Sequence, residues 1–420
     1  MHSQQRSDAM TDTTLAPPAT ATRPEGLPDD RVVDFDIYNP FDGQHDLHKA
    51  WVQLRDSTQH AIVWTPHNEG HWIALSPELI GEVFSDASRF SSRVVLVPKS
   101  TAGEAYGDLL PLSLDPPVHR PYRKVLNDKL YGSAIKPLEP KVRKLTAELI
   151  EGFVANGRCE FVHEFAEQLP LRVFMELVDL PVEHLPRLKH LADQFTRPDG
   201  SMTPAEATAS FKAYLKPILD ERRNSSREDL LTHITQSKVN DRPMTEDEAA
   251  RLASQVLVGG LDTVVNFMSF TMSTLAQAPE IQARIATDPT CHHAAINECL
   301  RRMPLVSSAR ELVADTEVDG VTLRKGDMVI APTELYALND AINDNPMAFD
   351  LDRKVRNHMV FGNGNHTCPG QFLARMEMKV LLEEWFARIP SFELEPGQTI
   401  RHNGGIVGGC QPFVLRWPAD

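Results

Sequence analysis

Apolar residues change their spacing along this chain, and the changes divide it into elements. Ile62-Val63-Trp64 and Trp72-Ile73-Ala74 are short apolar runs on either side of Asn68-Glu69-Gly70, the pattern of a β-hairpin. Ser76-Pro77-Glu78 then has the order of a helix start, with a capping Ser and Pro at the first helical position. Helical spacing dominates the middle. Thr203-Pro204-Ala205-Glu206 and Thr245-Glu246-Asp247-Glu248 each put an acid three residues after a Thr, the order of a capping box. The second opens an apolar helical stretch that ends near Pro279, and about 30 residues at 1.5 Å each span ~45 Å. Strand signals return late. Thr316-Glu317-Val318 and Val321-Thr322-Leu323 flank Asp319-Gly320, a strong hairpin turn, and Met328-Val329-Ile330 and Phe413-Val414-Leu415 read as further strands. The predicted fold is mostly α (α+β), with short sheets segregated near the two ends of the chain. There is no Gly/Ser linker or repeat, so residues 31–420 read as a single domain behind a flexible tail of residues 1–30.

Composition narrows the classes of function. Of 420 residues, 41% are hydrophobic and 24% charged, which argues against wholesale disorder. Lys+Arg at 43 against Asp+Glu at 58 gives −15, and nucleic acid is not an expected partner. The tail is rich in Ser, Thr, Pro and Ala and has no apolar h-region, so it reads as neither signal peptide nor anchor. No apolar run is expected to reach the ~20 residues of a bilayer span, and no membrane partner is expected. Cys159, Cys291, Cys299, Cys368 and Cys410 form no CxxC pair; an odd, scattered set fits a reducing, cytoplasmic location.

The densest chemistry lies in Phe361-Gly362-Asn363-Gly364-Asn365-His366-Thr367-Cys368-Pro369-Gly370. Its glycines let backbone N–H groups turn toward one atom. The helical pattern that follows, Gln371 to Glu377, predicts Cys368 at an N-cap and Pro369 at the first helical position. Inward N–H groups and a helix N-terminus both favour thiolate, hence a nucleophile or a metal ligand. A phosphatase-type nucleophile needs an arginine soon after the cysteine, and Ala374 stands there instead. Zinc-ligand spacing is absent. An inert buried cysteine is the ordinary alternative, and the glycine spacing argues against it.

This loop resembles the haem-binding loop of the cytochrome P450 superfamily, Phe-Gly-x-Gly-x-His-x-Cys-x-Gly, at every fixed position. The resemblance implies the P450 fold, haem b as cofactor and Cys368 as axial ligand of the haem iron, with Phe361 beside the sulfur. It assigns His366, His119, Arg123 and Arg310 to the haem propionates. Leu257-Val258-Gly259-Gly260-Leu261-Asp262-Thr263 resembles the family's oxygen-activating helix, where two mid-helix glycines, at ~1 kcal/mol each, leave room above the haem. There Asp262 is the expected proton-relay acid and Thr263 the alcohol that hydrogen-bonds the oxygen being reduced. The implied ionic partner of Asp262 is Arg197. Glu298 and Arg301, three apart on a helix, match the family's Glu-x-x-Arg, with Arg353 as the third member of a structural brace.

The resemblance extends to the bacterial camphor-hydroxylase group of the superfamily, through Asp34 to Pro40, Gly70 to Ala74, Gly103 to Tyr106, Thr196 to Thr203, Gly259 to Phe267 and Gly405 to Val407. It implies a substrate pocket of Leu96, Tyr106, Leu109, Leu112, Gln255, Val258, Gly259, Val306, Ile406 and Val407. Leu96, Leu109, Leu112 and Gln255 depart from that group's residues. Arg93 replaces an acid near the group's potassium site, so no cation is carried over. The implied activity is hydroxylation of a compact hydrophobic terpenoid such as camphor, 1,8-cineole or an ionone, using O2. Electrons would come from a two-iron two-sulfur ferredoxin and an NADH-dependent ferredoxin reductase, both separate proteins. Arg120, Arg123 and Arg375 would form a basic docking patch for the ferredoxin. Alternatives are a peroxide-driven peroxygenase, a haem-binding sensor without turnover and a non-haem cysteine enzyme.

Overall fold

Three consecutive residues of positive φ, Asn68, Glu69 and Gly70 (53°, 70° and 76°), turn the first hairpin. It joins β1 (Ile62–Thr65) to β2 (His71–Ala74), antiparallel, with Trp64 opposite Trp72. Glycine is needed at position 70 for a second reason, because a Cβ there would lie 2.7 Å from the Trp64 ring. Ser76 caps α1 (Pro77–Ser85), its Oγ accepting the Leu79 N–H at 3.2 Å. This computed structural model describes residues 20–41, 45–102, 109–196, 201–202 and 204–418. Tyr106, Arg197 and Thr203 lie outside the described residues.

Both hairpin strands are buried along their whole length, and a two-stranded ribbon has no means of covering two faces by itself. The chain solves this across its length. β3 (Phe90–Ser91), β4 (Ser307–Leu312) and β5 (Met328–Pro332) complete a five-stranded sheet in the order β1-β2-β5-β4-β3. β5 runs parallel to β2 and antiparallel to β4. The expected segregation of sheets at the two ends is therefore corrected: early and late strands share one sheet. The Asp319-Gly320 hairpin forms a separate ribbon, tied to the start of the chain by Arg31, which donates to Asp319 Oδ2 at 2.8 Å. The last strand is Val414–Arg416, and it joins Arg158–Glu160 and Glu393–Leu394.

The helices that position the site are α2 (His119–Leu130), α3 (Gln168–Val178), α4 (Leu185–Thr196), α5 (Pro204–Arg222), α6 (Glu246–Gly260), α7 (Thr263–Leu275), α8 (His292–Arg302) and α9 (Gln371–Arg388). Thr245 starts α6 with a reciprocal capping box: its Oγ1 accepts the Glu248 N–H, and the Glu248 carboxylate accepts the Thr245 N–H at 2.8 Å. The single long helix expected from here is instead two. α6 stops at Gly260, and Asp262, at φ −128°, stands outside helical geometry before α7 begins.

Every residue of α7 from Val265 to Ser273 is buried, as expected of a helix at the centre of a large core. Together α6 and α7 are long and apolar enough to cross a membrane by length and composition, contrary to the sequence expectation, and 67% of their apolar window is buried inside the fold. One buried cluster runs from Leu27 to Trp417. Packing begins ahead of residue 31: Ala21 N–H donates to Pro66 O at 2.7 Å, and Leu27 is 5% exposed.

The segment 402–410 crosses the N-terminal segment at Gly404, where a Cβ would lie 2.4 Å from Pro40 Cδ and 2.5 Å from Ile37 O. Gly404→Ala is expected to destabilise the protein by about 1–3 kcal/mol, read as a lowered urea midpoint. An unchanged midpoint would mean that these segments do not touch.

Candidate active site

The cysteine loop is wound by Gly362 and Gly364, at φ 71° and 68°, and closed by Cys368 N–H donating to Phe361 O at 2.7 Å. Gly364 also passes close to α1, where a Cβ would lie 3.2 Å from Phe84 O. The predicted N-cap at Cys368 is corrected. Pro369 and Gly370 form a turn, Gly370 is the N-cap and α9 starts at Gln371. This offset leaves the sulfur ahead of the helix, where the Gly370 and Gln371 N–H groups reach it. Burial pushes the Cys368 thiol up, while those N–H groups and the Arg123 charge pull the other way.

Beside the loop lies a cluster of nitrogen donors. His119 opens α2 and is buried; its ring centroid is 4.3 Å from that of His366. Neither His119 Nε2 nor His366 Nε2 has a hydrogen-bond partner, although both atoms are buried. Arg310, on β4, is 2% exposed, bonds only Ser308 Oγ and Ala309 O through Nη1, and has its guanidinium over the Phe84 ring. Arg123 donates to Thr367 O and Asn127 Oδ1. Among the described residues no carboxylate comes within ion-pair distance of Arg123 or Arg310. Burial, then the neighbouring cations, push His366 down to about 3. Burial and Arg123 push His119 to about 4, and burial lowers Arg310 to about 10. Such a cluster invites an anion: one buried and one half-buried cation lack counter-charge among the described residues, and two buried imidazole nitrogens lack partners.

α6 ends on Gly259 and Gly260, just before the break. Gly260 is pressed onto α3, where a Cβ would lie 2.5 Å from the Phe174 ring; Gly259 is exposed, and a Cβ there would meet only Gln255 Nε2, at 3.8 Å. The two glycines thus have different reasons, one tight packing and the other open space. Thr263 Oγ1 reaches Gly259 O at 3.5 Å. Asp262 is 3% exposed, and Asn266 Nδ2 donates to its Oδ1 and its carbonyl, each at 3.0 Å. Lys189 on α4 is half-buried, which opposes its charge, yet Asp193, Glu167 and Asp262 hold its ammonium above the usual range.

Residues 185–288 and 291–403, more than half of the chain, match the cytochrome P450 family. The chain is a cytochrome P450. It is 52% identical to CYP101J2, covering 95% of this chain and all of that one with a TM-score of 0.89. It is 39% identical to CYP101C1 at the same coverage, with a TM-score of 0.87; both are of the camphor-hydroxylase family. Among curated proteins, the probable cytochrome P450 127A1 of Sinorhizobium fredii is 30% identical over 89% of this chain and 90% of its own. Linalool 8-monooxygenase of Pseudomonas putida is 28% identical over 83% of this chain and 90% of its own. The protein is a P450 monooxygenase with a haem-thiolate cofactor.

The residues present fit that group. The anion-ready cluster of His119, His366, Arg123 and Arg310 suits two propionate carboxylates, and Cys368 has the inward N–H groups a thiolate ligand needs. Phe361 lies under the Arg375 guanidinium, 5.2 Å from its ring centroid. Of the implied pocket residues, Leu96, Leu109, Leu112, Gln255, Val258 and Val306 are half-buried, and Ile406 and Val407 are buried. Val306 and Val407 pair as an isolated antiparallel bridge. The implied basic patch is only partly outward: Arg120 is exposed, whereas Arg123 bonds the cysteine loop and Arg375 bonds Asn297.

Below the loop, P450 helix α8 buries Glu298 and Arg301 with no exposure, joined at 2.7 and 2.9 Å. Arg353 bonds Glu298 Oε1 at 3.2 Å, and Asp350 N–H bonds it at 3.0 Å. Sequence reasoning missed Arg356, 3.5 Å from Glu298 Oε2, and also Asn266, whose only signal was its i+4 spacing from Asp262. Glu298→Gln strips the counter-charge from three arginines and is expected to cost about 3–5 kcal/mol, with haem lost on dilution of the purified protein. Wild-type stability in that variant would show the ion network to be dispensable.

Proposed function

We propose that this P450 hydroxylates a compact, largely apolar terpenoid with one oxygen function, of the size of camphor, 1,8-cineole or an ionone. What carries the reading is the character of the residues that the family resemblance assigns to the pocket. Leu96, Leu109, Leu112, Val258, Val306, Ile406 and Val407 are aliphatic, and among the described pocket residues the polar exception is Gln255, whose Oε1 is buried without a partner. Such walls suit a rigid hydrocarbon, and an unpaired amide oxygen seeks a hydroxyl or water donor. The similarity to a linalool monooxygenase, named for a terpenoid substrate, supports the same class.

Haem, when bound through Cys368, supplies the iron that activates O2. The protein's own residues handle protons and water. Thr263 holds its hydroxyl to Gly259 O by a long, weak bond, so the proton is available on the open side of the helix. Asp262, one residue earlier and buried, has its orientation fixed by Asn266 and shares the field of Lys189, an arrangement suited to passing protons inward from the Lys189 side. The aliphatic walls exclude water that would otherwise deliver protons without control.

Electrons would come from a two-iron two-sulfur ferredoxin reduced by a separate NADH-dependent reductase. Exposed Arg120 and Lys124 on α2, with Val118 and Tyr131 at 56% and 60% exposure, support docking on the cysteine side; Tyr131 packs 4.8 Å from Phe372 of α9. A cytoplasmic setting, which keeps all five cysteines reduced, belongs to the same reading.

Titrating the ferric protein with camphor, 1,8-cineole and β-ionone is expected to move the Soret band from low to high spin with at least one of them. A panel that leaves the band unmoved, in protein whose reduced CO spectrum still reports thiolate ligation, removes the terpenoid reading. Thr263→Ala is expected to keep consuming NADH and O2 while diverting most of the electrons to hydrogen peroxide. Coupling of NADH to product equal to wild type would overturn the role given to Thr263.

A further inference from the structure

Behind Val306 and Val407, away from the chemistry, lies a group of polar side chains for which the mechanism has no use. Asp46, His48 and His402 bring donor atoms within 4.8 Å of one another. Their bonds show what they are already committed to. His48 Nε2 donates to Pro304 O at 2.8 Å, and His402 Nδ1 accepts the Leu47 N–H at 3.1 Å. Asp46 Oδ1 accepts the Lys49 N–H at 3.1 Å, capping the helix Leu47–Asp56. Burial and the nearby Arg302 charge keep both imidazoles neutral, His48 down to about 3 and His402 down to about 4. A divalent cation would have to displace two of these hydrogen bonds, next to a helix N-terminus and an arginine. The cluster is therefore better read by what its bonds hold.

They hold the two segments that carry the pocket wall. Pro304 stands two residues before Val306, and His402 begins the segment whose tip carries Ile406 and Val407. The segments are laced together, Gly408 N–H donating to Leu305 O at 2.7 Å and Ser307 N–H to Ile406 O at 2.9 Å. Gly408 presses on the Leu47 side chain so closely that a Cβ would lie 2.2 Å from Leu47 Cδ2. Phe270, from α7, lies edge-on to both imidazoles, with centroids 5.2 and 4.6 Å away. One N-terminal helix thus backs both segments and α7.

We propose that His48 is a specificity-determining positioning residue: through its bond to Pro304 O it fixes how far Val306 and Val407 stand from the substrate. This rests on the reading that Val306 and Val407 face substrate, and the test separates the two. Azoles that coordinate the haem iron report on the wall without requiring the natural substrate. On that reading imidazole is too small to touch the wall, whereas the phenyl ring of 4-phenylimidazole is expected to pack against it. Kd values are read from Soret shifts of the ferric holoenzyme.

His48→Leu, which leaves Pro304 O without its donor, is expected to weaken 4-phenylimidazole relative to imidazole by about five-fold or more. His48→Gln, which keeps an N–H at similar reach, is expected to restore the ratio to within about two-fold of wild type. Val407→Ala is the control for the wall and is expected to shift the ratio in the same direction as His48→Leu. A shift in Val407→Ala with none in His48→Leu overturns the proposal and leaves the pocket reading standing. No shift in either removes the pocket reading and the proposal with it. If His48→Leu fails to take up haem, His48→Asn, whose shorter amide falls short of Pro304, gives the same comparison.

Discussion

A sulfur that must carry negative charge is placed where burial opposes that charge, and much of this P450 is arranged around the conflict. Desolvation pushes the Cys368 thiol up. The offsets are local: the Gly370 and Gln371 N–H groups and the Arg123 guanidinium, joined by the iron of the cofactor when it is bound. Each requires the loop to be held in one shape. Two left-handed glycines and the Cys368 to Phe361 backbone bond provide that hold, while the fully buried Glu298–Arg301 pair, with Arg353 and Arg356, pins the segment that runs from Pro346 to Leu351. Buried ion pairs contribute little net stability, but they are costly to leave half-made, which makes this network a specifier of geometry.

The same logic of incomplete satisfaction marks the cofactor side. Among the described residues, buried imidazole nitrogens without partners and a buried Arg310 without a carboxylate are unfavourable in the protein alone. They become favourable once an acidic group arrives, so cofactor binding and folding stability are linked. The break between α6 and α7 is a second local cost with a purpose. Removing two residues from the helix turns Asp262 out of the ladder, while Asn266 recaptures both its carbonyl and its carboxylate. The opening is thereby kept without an uncompensated buried acid.

The Asn266 amide also joins these parts, since its oxygen accepts the Cys410 N–H at 3.2 Å. Through it and through His48 and His402, α7, the 402–410 segment and the N-terminal helix are joined.

Much of this was legible in the chain. The cysteine loop, the glycine pair before Asp262-Thr263, the caps at Ser76 and Thr245 and the two hairpin turns are local devices, and local devices leave their signature in consecutive residues. The class of enzyme and its cofactor were carried by such stretches. What needed the tertiary structure was everything built from distant partners. Strands from opposite ends of the chain meet in one sheet because neither set covers its own faces. The N-cap moved two residues past Cys368 because a turn, invisible as such in the helical pattern, aims N–H groups at the sulfur. His48, Asn266 and Arg356 gave no pattern of their own, since their partners lie on other elements. Spacing along a chain records the geometry of one element; the contacts between elements are settled only when burial brings them together.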